Sequence, residues 1–415
     1  MWCWLLLFAA LLTCAWREPQ ASPEMALLDR VRERMGENLE RLPTYTCLET
    51  TERSLRQVPK DKMLVRDRIR LEVMFSGFEE MVAWPGSSTF EPAASIQLPP
   101  GGAGGLGSWG GWSRSVFRSA GPAFRYAGEC AVERRRGLRY DFHVPWASSS
   151  YSVGVGNRRI VVPYNGTVCV DPESLDVMRM EVRAELAHLP FSAVGETIDY
   201  SHVRIGAADF LLPRSHELVT ADLEGNEGRN TTSLSACRAY ASASPPAAGS
   251  KAGALQLPAG IRLDLKLETP ITFDDSAVGD PVSARVDRGI RAGGISVPKG
   301  AAASGRIRRL EQRYLPEKHF FVDLEFSELS FGDTHASFRA RLVGPQLRFE
   351  RRPDSVDQRS LYNPAAPIID VAGLEIDDSD PWSPLGAFRV RASKLNLARG
   401  LRMIWETQAD SSQPR

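Results

Sequence analysis

The side chains best suited to metal ligation or nucleophilic chemistry in this 415-residue chain are six cysteines and six histidines, and their spacing decides what they can do. His143, His188, His202, His216, His319 and His335 show no His-x-x-x-His or His-Glu-x-x-His interval, so no two of them meet on one helical face to hold zinc. His143 and His335 fall on the polar phase of alternating segments, which predicts solvated positions. Cys47, Cys130, Cys169 and Cys237 lack the close Cys-x-x-Cys spacing of a zinc or redox site and read as structural disulfide partners. No Gly-x-Ser-x-Gly elbow occurs, so no catalytic residue is assigned, and no cofactor or metal is implied.

Four other patterns imitate functional motifs. Gly102 to Gly107 satisfies Gly-x-Gly-x-x-Gly, but Pro99-Pro100 precede it and Ser108-Trp109-Gly110-Gly111-Trp112 follow, whereas a phosphate cradle needs a strand before and a helix after. The run reads as a loop, with Trp109 and Trp112 either anchoring it or forming an apolar flap over a cavity. Asp377, Asp378 and Asp380 cluster, yet Pro381 stands where a calcium loop wants glycine. Arg134-Arg135-Arg136, expected at a hairpin turn, and Arg306, Arg308 and Arg309, at a strand end, lack interleaved aromatics and read as solvated faces. Asn165-Gly166-Thr167 and Asn230-Thr231-Thr232 match the glycosylation pattern and are read as turns.

The first sixteen residues are apolar without a break, shorter than the roughly 17 to 25 residues of a membrane-spanning helix, and Arg17-Glu18-Pro19 follow. They read as an export signal within residues 1–21. Cleavage after Ala15 would release a soluble protein; Leu11-Leu12-Thr13-Cys14 also has the form of a bacterial lipobox, in which Cys14 is lipidated and attaches the protein peripherally to a membrane. Lys plus Arg and Asp plus Glu both number 51, so no global field attracts nucleic acid. The even set of four later cysteines fits an oxidising compartment, the periplasm or the outer-membrane surface. Pairing Cys47 with Cys237 would tie the ends of the first domain, a loop of roughly 190 residues worth about 5 kcal/mol in the loop-entropy model; Cys130 would then pair with Cys169.

The elements that must position these residues are mainly β. Ser22-Pro23-Glu24 carries helix start signals, Leu28, Val31, Met35 and Leu39 recur at helical spacing, and Pro43 ends the run. The period then becomes two, from Ile69, Leu71, Val73 and Phe75 through hairpins about residues 124–144 to Ile198, Tyr200 and Leu218, so residues 44–240 read as an antiparallel meander with one covered face. Residues 241–254, small residues and prolines, form a linker. From Ile261, Leu263, Leu265 and Leu267 a second β-domain, a smaller barrel or sandwich, occupies 255–407, with an irregular excursion over 346–384 and a disordered tail at 408–415.

The helix before Pro43, the phrase Val168-Cys169-Val170-Asp171-Pro172-Glu173-Ser174-Leu175, and Phe210-Leu211-Leu212-Pro213 together resemble the LolA/RseB type of periplasmic protein, an antiparallel half-barrel with helices over its concave side. Leu257-Pro258-Ala259-Gly260, Leu267-Glu268-Thr269-Pro270 and Val297-Pro298-Lys299-Gly300 are similar to the TrbI-like C-terminal β-barrel. The pairing of the two resembles secreted proteins of soil bacteria. The first resemblance implies an apolar cavity in residues 44–240 and a non-enzymatic cell-envelope protein that binds an apolar or lipidic ligand or an envelope protein. An assembly scaffold is the alternative, and an envelope-polymer hydrolase a further one.

Overall fold

The computed structural model describes residues 22–59, 62–77, 79–99, 109–156, 158–240, 255–292, 294–315, 317–345, 374–377 and 387–409. Cys14, the Gly102 to Gly107 run, the linker and most of the excursion lie outside them. Helix α1 (Pro23–Arg41) begins where Ser22 caps it, its Oγ accepting from the Met25 N–H at 3.3 Å, and buries Leu28, Val31 and Met35. A second helix, α2 (Trp109–Phe117), stands where only a loop or flap was expected.

The first half carries β1 (Tyr45–Arg56), β2 (Leu64–Ser76), β3 (Glu79–Ala83), β4 (Glu91–Pro92), β5 (Ala123–Val132), β6 (Arg135–Val144) and β7 (Ser152–Val155). It continues with β8 (Arg158–Val161), β9 (Tyr164–Val170), β10 (Val177–Ala184), β11 (Phe191–Ile205), β12 (Ala208–Asp222) and β13 (Glu227–Ala239). Apart from the separate β7–β8 hairpin, these form an antiparallel sheet in the order β4-β3-β2-β1-β13-β12-β11-β10-β9-β6-β5. The chain is thus not a plain meander, because β1 pairs along its length with β13. Both helices lie on one face, packing Leu28, Val31, Trp112, Val116 and Phe117 against Tyr140, Tyr164, Met180 and Ile198.

The second half has β14 (Leu255–Gln256), β15 (Arg262–Leu267), β16 (Ile271–Thr272), β17 (Pro281–Val286), β18 (Ile290–Ala292), β19 (Ile295–Val297) and β20 (Ala302–Arg313). There follow β21 (His319–Phe331), β22 (Thr334–Ser337), β23 (Ala340–Pro345), β24 (Leu374–Asp377), β25 (Ala387–Val390), β26 (Asn396–Leu397) and β27 (Arg402–Thr407). Its main ladder runs β23-β27-β15-β17-β20-β21, with β25 and β22 sharing the far side of β21. Among the described residues it does not close into a barrel.

The two sheets meet along β2. Val278 bonds to β2 on both sides, its carbonyl accepting from Arg70 N and its N–H donating to Arg68 O, and Asp67 pairs with Glu311 of β20. One apolar cluster takes Ile69, Leu71 and Val73 from the first half and Leu263, Leu265, Phe320 and Trp405 from the second. Burying these side chains is worth about 1.5–3 kcal/mol each.

Three readings of the sequence need correction. The β5–β6 turn falls at Glu133-Arg134, so Arg135 and Arg136 lie in a strand. Asn165 and Asn230 lie inside β9 and β13 rather than in turns; Gly166 pairs within β9 with the Phe142 ring packed where a Cβ would stand, and Asn230 is buried. Arg309 is buried rather than solvated: a register shift between Ile307 and Arg309 puts it on the sheet face opposite Ile307 and Leu310, and that face is covered too, so that it meets Glu311 and Phe321. Arg306 and Arg308 lie over the Trp84 ring at 5.5 and 4.8 Å.

Disulfides join Cys47 to Cys237, between β1 and β13, and Cys130 to Cys169. The second steps from β5 to β9 over β6, and β6 passes beneath it at Gly137, where an added Cβ would stand 2.5 Å from the Val170 carbonyl oxygen and 3.2 Å from Cys169 Sγ. Replacing Gly137 by alanine is expected to lower stability by about 1–3 kcal/mol, measured as a fall in the urea midpoint with an unchanged slope.

Glu311 supplies a second test. Burial alone would raise its pKa, but Arg313, Arg66 and Arg309 outweigh it and hold the carboxyl below its ordinary value. A depressed folded-state pKa adds stability above the unfolded-state value and loses it as pH falls through the folded one. Stability should therefore fall as the pH drops below the ordinary glutamate range, and Glu311→Gln should flatten that dependence in denaturant titrations run at successive pH values.

Candidate functional site

The sheet face that carries the helices holds a cleft of about 550 Å³ between the end of α1, α2 and strands β1, β2 and β12. Each wall is placed by a specific contact. At the end of α1, Asn38 donates from Nδ2 to the Leu211 carbonyl at 2.8 Å and accepts the Leu211 N–H on Oδ1 at 2.9 Å, which sets Leu39 and Leu42 beside Leu211 and Leu212. Arg32 of α1 donates to the Phe117 carbonyl at 3.4 Å and the Ser119 carbonyl at 3.2 Å, satisfying the C-terminal end of α2.

The floor is apolar. Tyr45 stacks on Phe75 with ring centroids 4.7 Å apart, and Leu211, Leu212 and Leu234 complete it. Burial, reinforced by the nearby Glu80 charge and partly offset by Arg114, raises the Tyr45 phenol well above its ordinary pKa, so its hydroxyl stays neutral. Charge is kept to the rim, with Arg114 and Arg118 on the α2 side and Glu79 and Glu80 on the β3 side. Arg118 meets Glu40 of α1 at 2.7 Å.

Trp112 is 8% exposed and packs edge-on against Tyr151 and Tyr164, so it anchors α2 in the core. Its Nε1 donates to Glu196 Oε2 at 2.6 Å, and His216 Nε2 lies 2.8 Å from the same oxygen. Burial, then the Glu196 charge, keeps the Tyr151 phenol protonated. Polar side chains continue across the same sheet: His216 stands opposite Thr232, Thr232 bonds Thr51 at 3.0 Å, and Thr51 lies 3.3 Å from Glu49. Buried polar groups of this kind persist because each has a partner. The apolar floor is thereby confined to one end of the sheet.

Sequence reasoning singled out Trp109, Trp112 and the cysteines. Trp109 opens α2, and Trp112 reaches the cleft only through the helix it anchors. It did not single out Asn38 or Glu196, and it named His216 only as one of six histidines without metal-binding spacing. Glu196 was visible in principle, since it shares the inward phase of Val194, Ile198 and Tyr200. His143 and His335 are exposed, and among the described residues no group of three His, Cys, Asp or Glu side chains is arranged to hold a metal ion. Glu196→Leu would strip an acceptor from both Trp112 and His216 and is expected to cost about 1–3 kcal/mol per group left without a partner. Glu196→Gln, which keeps one acceptor oxygen, should cost less in the same urea titration followed by tryptophan fluorescence.

No family model matches the chain, and no curated protein matches it. Among solved structures it is similar to a putative outer membrane lipoprotein-sorting protein domain from Vibrio parahaemolyticus, with 8% identity and a TM-score of 0.28, over 51% of this chain and 91% of that one. It is also similar to a DUF1329 family protein from Desulfovibrio piger, with 11% identity and a TM-score of 0.28, over 53% of this chain and 94% of that one.

Proposed function

We propose that this chain is an exported, non-enzymatic envelope protein that holds an apolar or lipidic ligand in the cleft beneath α1 and α2. The observation that carries this reading is the separation of polarity within the cleft. Its floor offers Leu39, Leu42, Tyr45, Phe75, Leu211 and Leu212, and its charges stand at the mouth. A volume of about 550 Å³ suits part of a small apolar molecule. Among the described residues that line the cleft, no nucleophile is paired with a base, and the Tyr45 phenol is held neutral. The apolar start of the chain and two disulfides support an oxidising compartment outside the cytoplasm.

Binding of an apolar fluorescent probe, N-phenylnaphthylamine, tests the reading. The unmodified protein should bind it with a blue-shifted emission, and Leu39→Asp with Leu42→Asp, both half-buried, should weaken binding by about tenfold or more. Unchanged binding in the double variant would place the probe elsewhere and remove the cleft from the argument. Native mass spectrometry after gentle purification should show added mass from a co-purifying lipid.

A further inference from the structure

A second cavity, of about 380 Å³, lies on the seam between the halves, where the β1–β2 turn meets the end of β20. Its apolar surface comes from Leu55, Val58, Leu64 and Leu315, of which Val58 and Leu315 are 57% and 59% exposed, unusual for such side chains. Tyr314 fixes the wall: its hydroxyl accepts from Gln312 Nε2 and donates to the Val65 carbonyl at 3.3 Å, tying β20 to β2.

Among the described residues, the charges that line this cavity do not balance: Lys62, Arg66 and Arg313 stand against one carboxylate, Glu311. That carboxylate is fully engaged: Oε1 meets Arg66 at 3.0 Å and Arg313 at 2.8 Å, and Oε2 meets the buried Arg309 at 2.8 Å. Asp67, behind it, is held by both guanidinium arms of Arg53 at 2.6 Å. Lys62 is exposed and makes no ion pair among the described residues. Burial lowers the pKa of Arg66, and the like charges of Arg53 and Arg313 act in the same direction against the pull of Glu311 and Asp67.

We infer that this seam cavity is a binding site for a small amphiphilic monoanion, an alkyl or aryl carboxylate whose apolar body lies along Leu55, Val58, Leu64 and Leu315 and whose carboxylate meets Lys62 and Arg313. An excess of donors that carry positive charge, in a fixed wall beside apolar surface, selects for a single anionic head on an apolar tail. A neutral amphiphile would forgo the charge contacts, and a cationic one would be repelled. The site is separate from the cleft under α1 and α2 and does not depend on what that cleft binds.

Photo-crosslinking of the full chain with a diazirine-bearing decanoate, followed by peptide mapping, reads the two sites apart. The expected label falls within residues 55–64 and 311–315. It should drop about tenfold in Lys62→Ala with Arg313→Ala, the loss of two charge-assisted contacts. Leu315→Asp, a change at an exposed position that leaves the Glu311 cluster intact, should reduce it comparably. Diazirine-bearing octylamine should leave these peptides unlabelled. Label confined to residues 39–45, 111–119 and 211–213, equal labelling by the amine, or labelling unchanged in both variants would overturn the assignment, and none of these outcomes counts against ligand binding in the cleft.

Discussion

Asp67 is 0% exposed, and a carboxylate wholly removed from water must be met by cations or it destabilises the fold by several kcal/mol. Arg53 meets it from the neighbouring strand β1 with two parallel hydrogen bonds, the planar geometry that a guanidinium and a carboxylate share. Asp67 also pairs through the backbone with Glu311 of β20, another buried carboxylate with its own arginines. Much else depends on this pair of satisfied acids. They fix how β2 enters the second half, and Arg53 reaches on to the Pro99 carbonyl. Breaking either acid's set would leave charge buried without compensation. That penalty makes the seam specific, whereas the apolar cluster around it tolerates repacking.

Seen this way, the two halves are not beads on a linker. Their largest apolar cluster is shared, and the strand at its centre, β2, has β1 on one side and makes main-chain contact with the second half through Val278. The helix-covered cluster at the other end contains residues of the first half only. The molecule therefore has one end built for cohesion between halves and one end where two helices stand over a sheet, and the cleft opens at the boundary of these regions. Asn38 and Arg32 matter here because these side chains attach α1 to the backbone of β12 and of the end of α2, so the walls are positioned by geometry rather than by apolar packing alone.

Local pattern made much of this legible. Ser22, Pro23 and the Leu28, Val31, Met35 spacing announce α1, and strict alternation announces β2, β15 and β21. What alternation cannot state is which strands neighbour one another. The β1–β13 pairing joins segments about as far apart as the first half allows, and no short-range signal encodes it. Helix α2 escaped notice because its two glycines weaken its propensity and only Trp112, Val116 and Phe117 mark a buried face. Arg309 misled for a different reason: one extra residue in the β20–β21 register moves it from the face of Ile307 to the opposite one, both faces are covered there, and a bulge leaves no compositional trace. Of the site, the Leu211-Leu212 floor was visible as a motif, but Asn38 and Glu196 owe their roles to partners far along the chain.

The pairing of β1 with β13 has a consequence for how the chain reaches its native state. Cys47 and Cys237 are 190 residues apart, and β1 lacks one of its two neighbours until nearly all of the first half has been synthesised. Contacts of such separation demand loop closure before they return any stabilisation, which slows folding. Hairpins between consecutive strands, such as β1–β2, β5–β6 and β11–β12, close short loops and form without waiting for the rest of the chain, whereas the β1–β13 ladder can close only when β13 has arrived.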